Sequence, residues 1–228
     1  MSGILYIVAT PIGNLNDISN RALSILEEVH LIAAEDTRVT KKLLNKYQIS
    51  NKLISYNNFN ENNKYIKIVD LLLDGENIAL VSDAGTPLIS DPGYRLVNSA
   101  LQKHIQVLSI PGPSSAIAAL SISGLPTDKF YFEGFLPKKK GRQTRFLFLS
   151  SMDATIIIYE SPKRLLKTIK NIIDFMGDRI ISVVKEITKI HESVCLGRAS
   201  NVIELFDTKN LRGEFIILVA KEGYQINE

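Results

Sequence analysis

Four short segments carry residue types that could do chemistry. Residues 10–15 (Thr-Pro-Ile-Gly-Asn-Leu), 83–93 (Asp-Ala-Gly-Thr-Pro-Leu-Ile-Ser-Asp-Pro-Gly) and 111–116 (Pro-Gly-Pro-Ser-Ser-Ala) are rich in Gly and Pro, and each follows an apolar run. Such loops at strand ends let a ligand come close to backbone N–H and C=O groups. The fourth, Glu35-Asp36-Thr37-Arg38, sets two carboxylates beside a guanidinium, groups able to accept a proton and to hold an anion. Each segment also has a plain reading. Residues 83–87 could be an ordinary strand-to-helix connection, 111–115 a helix start with a serine cap, and 35–38 a surface ion-pair cluster.

What is absent narrows the chemistry. No GxGxxG or GxxxxGK[ST] provides a backbone cradle for a dinucleotide or nucleoside triphosphate, and no GxSxG supports a hydrolase triad. Cys195 is the single cysteine, which excludes an intramolecular disulfide and a Cys-rich zinc site. His30, His104 and His191 are scattered, so no metal is expected. The loops suit a ligand held by backbone amides and a few carboxylates. S-adenosyl-L-methionine (SAM) is such a ligand, an adenosine and an amino acid without a phosphate.

These loops need a scaffold, and the apolar runs supply one. Runs at 4–9, 30–34, 77–82 and 105–110 alternate with helical patterns from Ser19, through residue 47, over 60–73 and after Gly93. That alternation predicts a mostly parallel sheet covered on both faces. After Phe130 the pattern changes. Strands at 130–135, 154–159, 180–185 and 214–220, a stretch through Val194 and one helix over 162–176 predict a mixed or antiparallel sheet. The fold class is therefore α/β in two domains, residues 1–115 and 116–228, joined near 112–125.

Composition bounds the partners. Of 228 residues 45% are hydrophobic, as in a folded globular chain. Lys+Arg 27 against Asp+Glu 24 leaves a charge of +3, which permits an anionic partner without demanding one. Lys138, Lys139, Lys140, Arg142 and Arg145 form a basic run with no acidic residue, either a solvated linker or a phosphate-contacting segment. The N-terminus reads as a first strand without a basic leader, and no apolar run approaches the roughly 20 residues of a membrane span. A cytoplasmic protein without a membrane partner is expected.

Several of these segments together resemble one family. They are residues 10–15 with Asp17-Ile18, residues 34–38, residues 82–93, residues 111–116, Glu133-Gly134-Phe135-Leu136-Pro137 and Tyr159-Glu160-Ser161-Pro162. In order from residue 4 to about 220, the chain is similar to the ribosomal RNA small subunit methyltransferase I group of the tetrapyrrole methylase superfamily. Many members carry a C-terminal helical extension beyond the point that matches Glu228.

The resemblance implies two α/β domains of the tetrapyrrole methylase type with SAM in a cleft between them. It implies 2′-O-methylation of a cytidine in the decoding region of 16S rRNA, presented within the 30S subunit, by a homodimer. Pro11 and Gly13 would form one wall of the cofactor site. Asp83, Gly85, Thr86, Pro87 and Ile89 would contact SAM from the second loop, Ser114, Ser115 and Ala116 from the third, and Tyr159 from the second domain. Glu35 and Asp36 are then candidate bases with Arg38 orienting a phosphate, and the run 138–145 is the candidate RNA contact. A methylase of a small acidic porphyrinoid and a non-catalytic ribosome assembly factor are the rival readings.

Overall fold

The computed structural model describes residues 2–206 and 211–226 and divides into two compact units, Met1–Ser114 and Ser115–Glu228. In the first, strands β1 (Ile4–Val8), β2 (Leu31–Ala34), β3 (Leu53–Ser55), β4 (Ile78–Val81) and β5 (Gln106–Ile110) form one sheet in the order β3-β2-β4-β1-β5. Every pairing in it is parallel.

Alternate residues of these strands face opposite sides, so continuous apolar runs need cover on both. On one face Val8, Ile32, Ala34, Ala79 and Val81 pack with Ala22 and Leu26 of α1 (Asn20–Glu28) and Leu43 and Leu44 of α2 (Thr37–Lys46). On the other, Leu5, Ile7, Leu31, Ala33, Ile78 and Leu80 pack with Ile68, Val69 and Leu72 of α3 (Glu61–Leu73) and Leu96 and Ala100 of α4 (Tyr94–Gln102). Ser19 caps α1 by accepting from the Ala22 N–H, and Asp36 caps α2 by accepting from the Arg38 N–H. Strand β3 lies outside the predicted elements. It has three half-buried residues at the sheet edge, inside a polar stretch.

The second unit holds β6 (Phe130–Phe135), β7 (Thr155–Glu160), β8 (Ile180–Lys185), β9 (Ser193–Arg198) and β10 (Phe215–Val219) in the order β6-β7-β10-β8-β9. Only β6 and β7 pair in parallel; the other pairings are antiparallel, so the sheet is mixed. Helices α5 (Ser115–Ile122), α6 (Arg142–Ser150) and α7 (Leu165–Met176) accompany it. Phe146 and Leu149 of α6 and Leu165, Ile169 and Ile172 of α7 pack on Ile156, Ile158, Ile181, Val183, Phe215 and Ile217.

Helix α6 begins at Arg142, so the basic run is divided between an exposed turn and a helix. Lys138, Lys139 and Lys140 lie in an exposed turn, and Gly141, at φ +78°, precedes the first helical residue. Among the described residues no helix is long and apolar enough to cross a membrane.

Candidate functional site

All parallel strands of the first unit end on one edge, and that edge gathers the singled-out loops. Thr10 and Gly85 exchange backbone hydrogen bonds, Thr10 N–H to Gly85 O at 2.9 Å and Gly85 N–H to Thr10 O at 3.0 Å. The Thr10 hydroxyl also donates to Ser82 O at 3.1 Å. The third loop joins through Thr86, whose Oγ1 donates to Pro113 O at 3.1 Å. Three loops distant in sequence are thus tied into one polar rim.

The loop after β4 turns back on itself. Gly85, Leu88, Ser90 and Gly93 all have positive φ, at +82°, +73°, +69° and +138°. Two of these are ordinary L-residues held in a conformation that disfavours them, which is local strain stabilised by surrounding packing. At Gly93 a Cβ would meet Leu80 Cδ2 at 2.8 Å. Of the expected cofactor contacts in this unit, Pro11, Gly85 and Pro87 are buried, Thr86 and Ser114 are half-buried, and Gly13, Asp83 and Ile89 are exposed.

The carboxylates sit at the same edge. Glu35 Oε2 accepts from the Asp83 N–H at 3.3 Å, and Asp83 Oδ1 accepts from the Asp36 N–H at 3.0 Å, so the ends of β2 and β4 are reciprocally clasped. Burial holds the Glu35 carboxyl above its ordinary range against the N–H bond from Asp83, and the charges of Asp91, Asp83 and Asp36 push the same way. Burial also raises Asp83 and Asp91.

Asp36 behaves oppositely. Its oxygens take the Arg38 N–H at 2.8 Å, Nε at 3.0 Å and Nη2 at 2.6 Å, and these bonds lower it to about 2. A helix cap and guanidinium partner at that acidity is a poor proton acceptor, so the two neighbouring carboxyls differ in acidity, Glu35 raised and Asp36 lowered. Asp91 was not singled out in the sequence. It joins the cluster through the turn at Leu88 and Ser90, which no local motif announces.

A cavity of about 280 Å³ opens beside this edge, lined among others by Thr10, Pro11, Val39, Leu43, Ser82 and Asp83. The loops 10–15, 83–93 and 111–116 contain no Lys or Arg, and they offer backbone groups, hydroxyls and carboxylates. That donor set fits a ligand with a ribose, an ammonium and a sulfonium better than one with phosphates, and so fits SAM.

In the second unit, the hydroxyls of Ser115 and Tyr159 lie 2.7 Å apart. The Tyr159 ring is held edge-on by Phe132 and Phe135, at centroid distances of 5.1 and 5.6 Å. Ala116 is buried in the first turn of α5.

The basic run does not stay together as a phosphate surface. Arg142 is only 6% exposed; its guanidinium donates to Asn171 Oδ1 at 2.9 Å, Pro137 O at 3.1 Å and Thr168 Oγ1 at 2.6 Å. Arg145 pairs with Glu133, Nε to Oε1 at 2.8 Å, and bonds to the Tyr131 hydroxyl. Both guanidiniums are thus engaged within the fold, which reading the basic run as a phosphate-contacting segment does not anticipate. Lys138, Lys139 and Lys140 remain exposed. Among the described residues no group of three or more His, Cys, Asp or Glu could hold a metal ion.

Comparison with known proteins agrees with this architecture. The family Tetrapyrrole (Corrin/Porphyrin) Methylases matches residues 4–203. The Ribosomal RNA small subunit methyltransferase I of Thermotoga maritima is 46% identical over 221 residues, covering 96% of this chain and 100% of that protein. The proteins of that name from Halalkalibacterium halodurans and Escherichia coli O157:H7 are each 45% identical; they cover 98% and 99% of this chain, which spans 78% and 80% of their length. Among solved structures, uroporphyrin-III-C-methyltransferase from Thermus thermophilus superposes with a TM-score of 0.67 at 18% identity, covering 96% of this chain and 94% of that one. A diphthine synthase does so at 0.73 and 14%, covering 96% and 90%. The shared fold is that of the tetrapyrrole methylases, and the chain belongs to that family and, within it, to the ribosomal RNA small subunit methyltransferase I group of methyltransferases.

Proposed function

We propose that the chain transfers a methyl group from SAM to the ribose 2′-hydroxyl of a cytidine in the decoding region of 16S rRNA. The observation that carries the reading is the near-full-length identity to the rRNA methyltransferases, together with a phosphate-free loop rim and a base-like carboxylate on one sheet edge. SAM would supply the electrophilic methyl group. Pro11, Gly13, Asp83, Gly85, Thr86, Pro87, Ile89 and Ser114 would hold it. The resemblance extends the proposal to Ser115, Ala116 and Tyr159, whose contributions are read by separate substitution.

Glu35 is the residue proposed to act on the acceptor. A neutral 2′-hydroxyl is a weak nucleophile, and a carboxylate whose pKa is raised is a better base than one at its ordinary value. One Glu35 oxygen is occupied by the Asp83 N–H, and its carboxylate takes the 2′-proton as the oxygen becomes an ether. Arg38, exposed and already oriented by Asp36, would hold the adjacent phosphate.

The test is transfer of labelled methyl from SAM to 30S subunits isolated without the modification, with free 16S rRNA and a porphyrinoid alongside. One alkali-resistant linkage in the decoding region is the expected product. Transfer to the porphyrinoid alone, or to no substrate while SAM still binds, would reject it. Light scattering on the same sample should give twice the chain mass of 25.4 kDa, the homodimer the resemblance implies.

A further inference from the structure

Helix α2 carries Arg38, Lys41, Lys42 and Lys46 and no acidic residue. Its inward residues Thr40, Leu43 and Leu44 are buried in the first unit, while all four basic side chains are exposed. Arg38 is paired with Asp36, whereas Lys41, Lys42 and Lys46 form no ion pair among the described residues. Arg38, Lys41 and Asn45 of α2, with Gln48 just beyond it, line an open groove of about 720 Å³ together with Leu44 and Ile49. No residue lining this groove is acidic. Two of the four cations, Arg38 and Lys41, thus face a groove without an acidic residue, a surface complementary to a polyanion.

The groove has a direction. Its Arg38 end adjoins Asp36, whose N–H bonds to Asp83, and Glu35 precedes it at the end of β2. A chain of phosphates lying along α2 would therefore lead to the carboxylate edge. Asn45 and Gln48 add neutral donors and acceptors suited to sugar hydroxyls, which a purely electrostatic surface would lack.

We propose that the α2 groove is the docking track for the RNA phosphate backbone, with Lys41 contacting a phosphate. The proposal rests on the rRNA methylation reading and names the surface that reading requires, in place of Arg142 and Arg145.

Phosphate contacts release condensed counterions, so each lysine that makes one contributes about 1 to the slope of log Kobs against log salt. The full chain and its Lys41→Gln variant would be titrated with protein-free 16S rRNA across roughly 50 to 200 mM salt. SAM binding and methyl transfer by the unmodified chain would be measured in parallel. The expected result is a slope shallower by about 1 in the variant with SAM affinity unchanged. An unchanged slope, with the unmodified chain still methylating RNA, would overturn the track and leave the enzymatic reading standing. No binding or transfer by the unmodified chain would overturn both. A slope intact on protein-free rRNA but reduced on 30S subunits would assign the groove to a ribosomal protein and overturn the RNA assignment.

Discussion

At the residue scale the two neighbouring carboxylates at the end of β2 have been driven apart by what surrounds them. Glu35 is partly desolvated and faces three other carboxyl groups, so its proton is held more tightly than usual; Asp36 is ion-paired and holds its proton only near 2. If Glu35 takes the 2′-proton, activity requires its ionised form and falls as pH drops through its raised pKa. A pH–rate profile should then show an acid limb above the ordinary carboxylate range, whereas a limb near 2 would point to Asp36. Glu35→Gln should lower turnover by about 10²- to 10⁴-fold, the usual contribution of a positioned base, with SAM affinity retained. Stability should respond with the opposite sign. A raised carboxyl stabilises the fold fully below its unfolded pKa and loses that contribution as pH rises through the folded value, so the uncharged Gln, still able to accept from Asp83, should melt no lower at pH 7.5. Asp36→Asn keeps an oxygen to cap α2 but removes the charge paired with Arg38, and should lower the denaturant midpoint only slightly, with a smaller effect on turnover than the Glu35 variant.

At the scale of elements, α6, β7 and α7 are joined by a buried polar network. Thr168 Oγ1 accepts from Arg142 and donates to Glu160 Oε2 at 2.6 Å, while Glu160 Oε1 takes the Ser161 N–H at 2.8 Å and lies 3.2 Å from Arg164 Nε. Glu160→Ala leaves buried Arg142 and half-buried Arg164 without their compensating charge, so a loss of about 3–5 kcal/mol is expected from denaturant midpoints. Gly93→Ala should cost about 1–3 kcal/mol by the same measurement, since a Cβ there meets Leu80 at 2.8 Å in a backbone region L-residues avoid. The network also marks the limit of sequence reading. Long apolar runs such as 78–81 and 215–219 announce buried strands, and the Gly- and Pro-rich loops after β1, β4 and β5 announce the rim. Arg142 reads as a surface charge because its burial depends on Thr168 and Asn171, more than twenty residues further along and brought near only by the packing of α7 on α6. Strand β3 escapes for a different reason: three residues at an edge bury too little to show a period. Glu35 and Asp36 are legible as chemistry, but not their opposite acidities, which arise from the burial of Glu35 and from the bonds that Arg38 makes to Asp36.

At the scale of the whole molecule, each unit carries its own five-stranded sheet and core, and the proposed cofactor contacts are loops with few apolar anchors of their own. A ligand that binds only the ordered rim stabilises the folded chain by mass action, by about 2.7 kcal/mol at a hundredfold excess over Kd. For a chain of this size about 1 kcal/mol moves Tm by roughly 2–4 °C, so saturating SAM should raise the melting temperature by about 5–10 °C. Thr86→Val separates the rim from the core. It keeps the side-chain volume but deletes the 3.1 Å bond to Pro113 that ties the second loop to the third. Because that hydroxyl is only half-buried and sits outside both cores, the SAM-free variant should melt within a few degrees of the parent. The SAM-dependent rise should shrink, because the ligand must then order a rim that the parent holds ready, and cofactor affinity measured by calorimetry should fall with it. A full SAM-dependent rise in Thr86→Val would mean that the three loops need no coupling to bind SAM, and the cofactor site would have to be sought away from the rim that Thr10, Gly85 and Thr86 build.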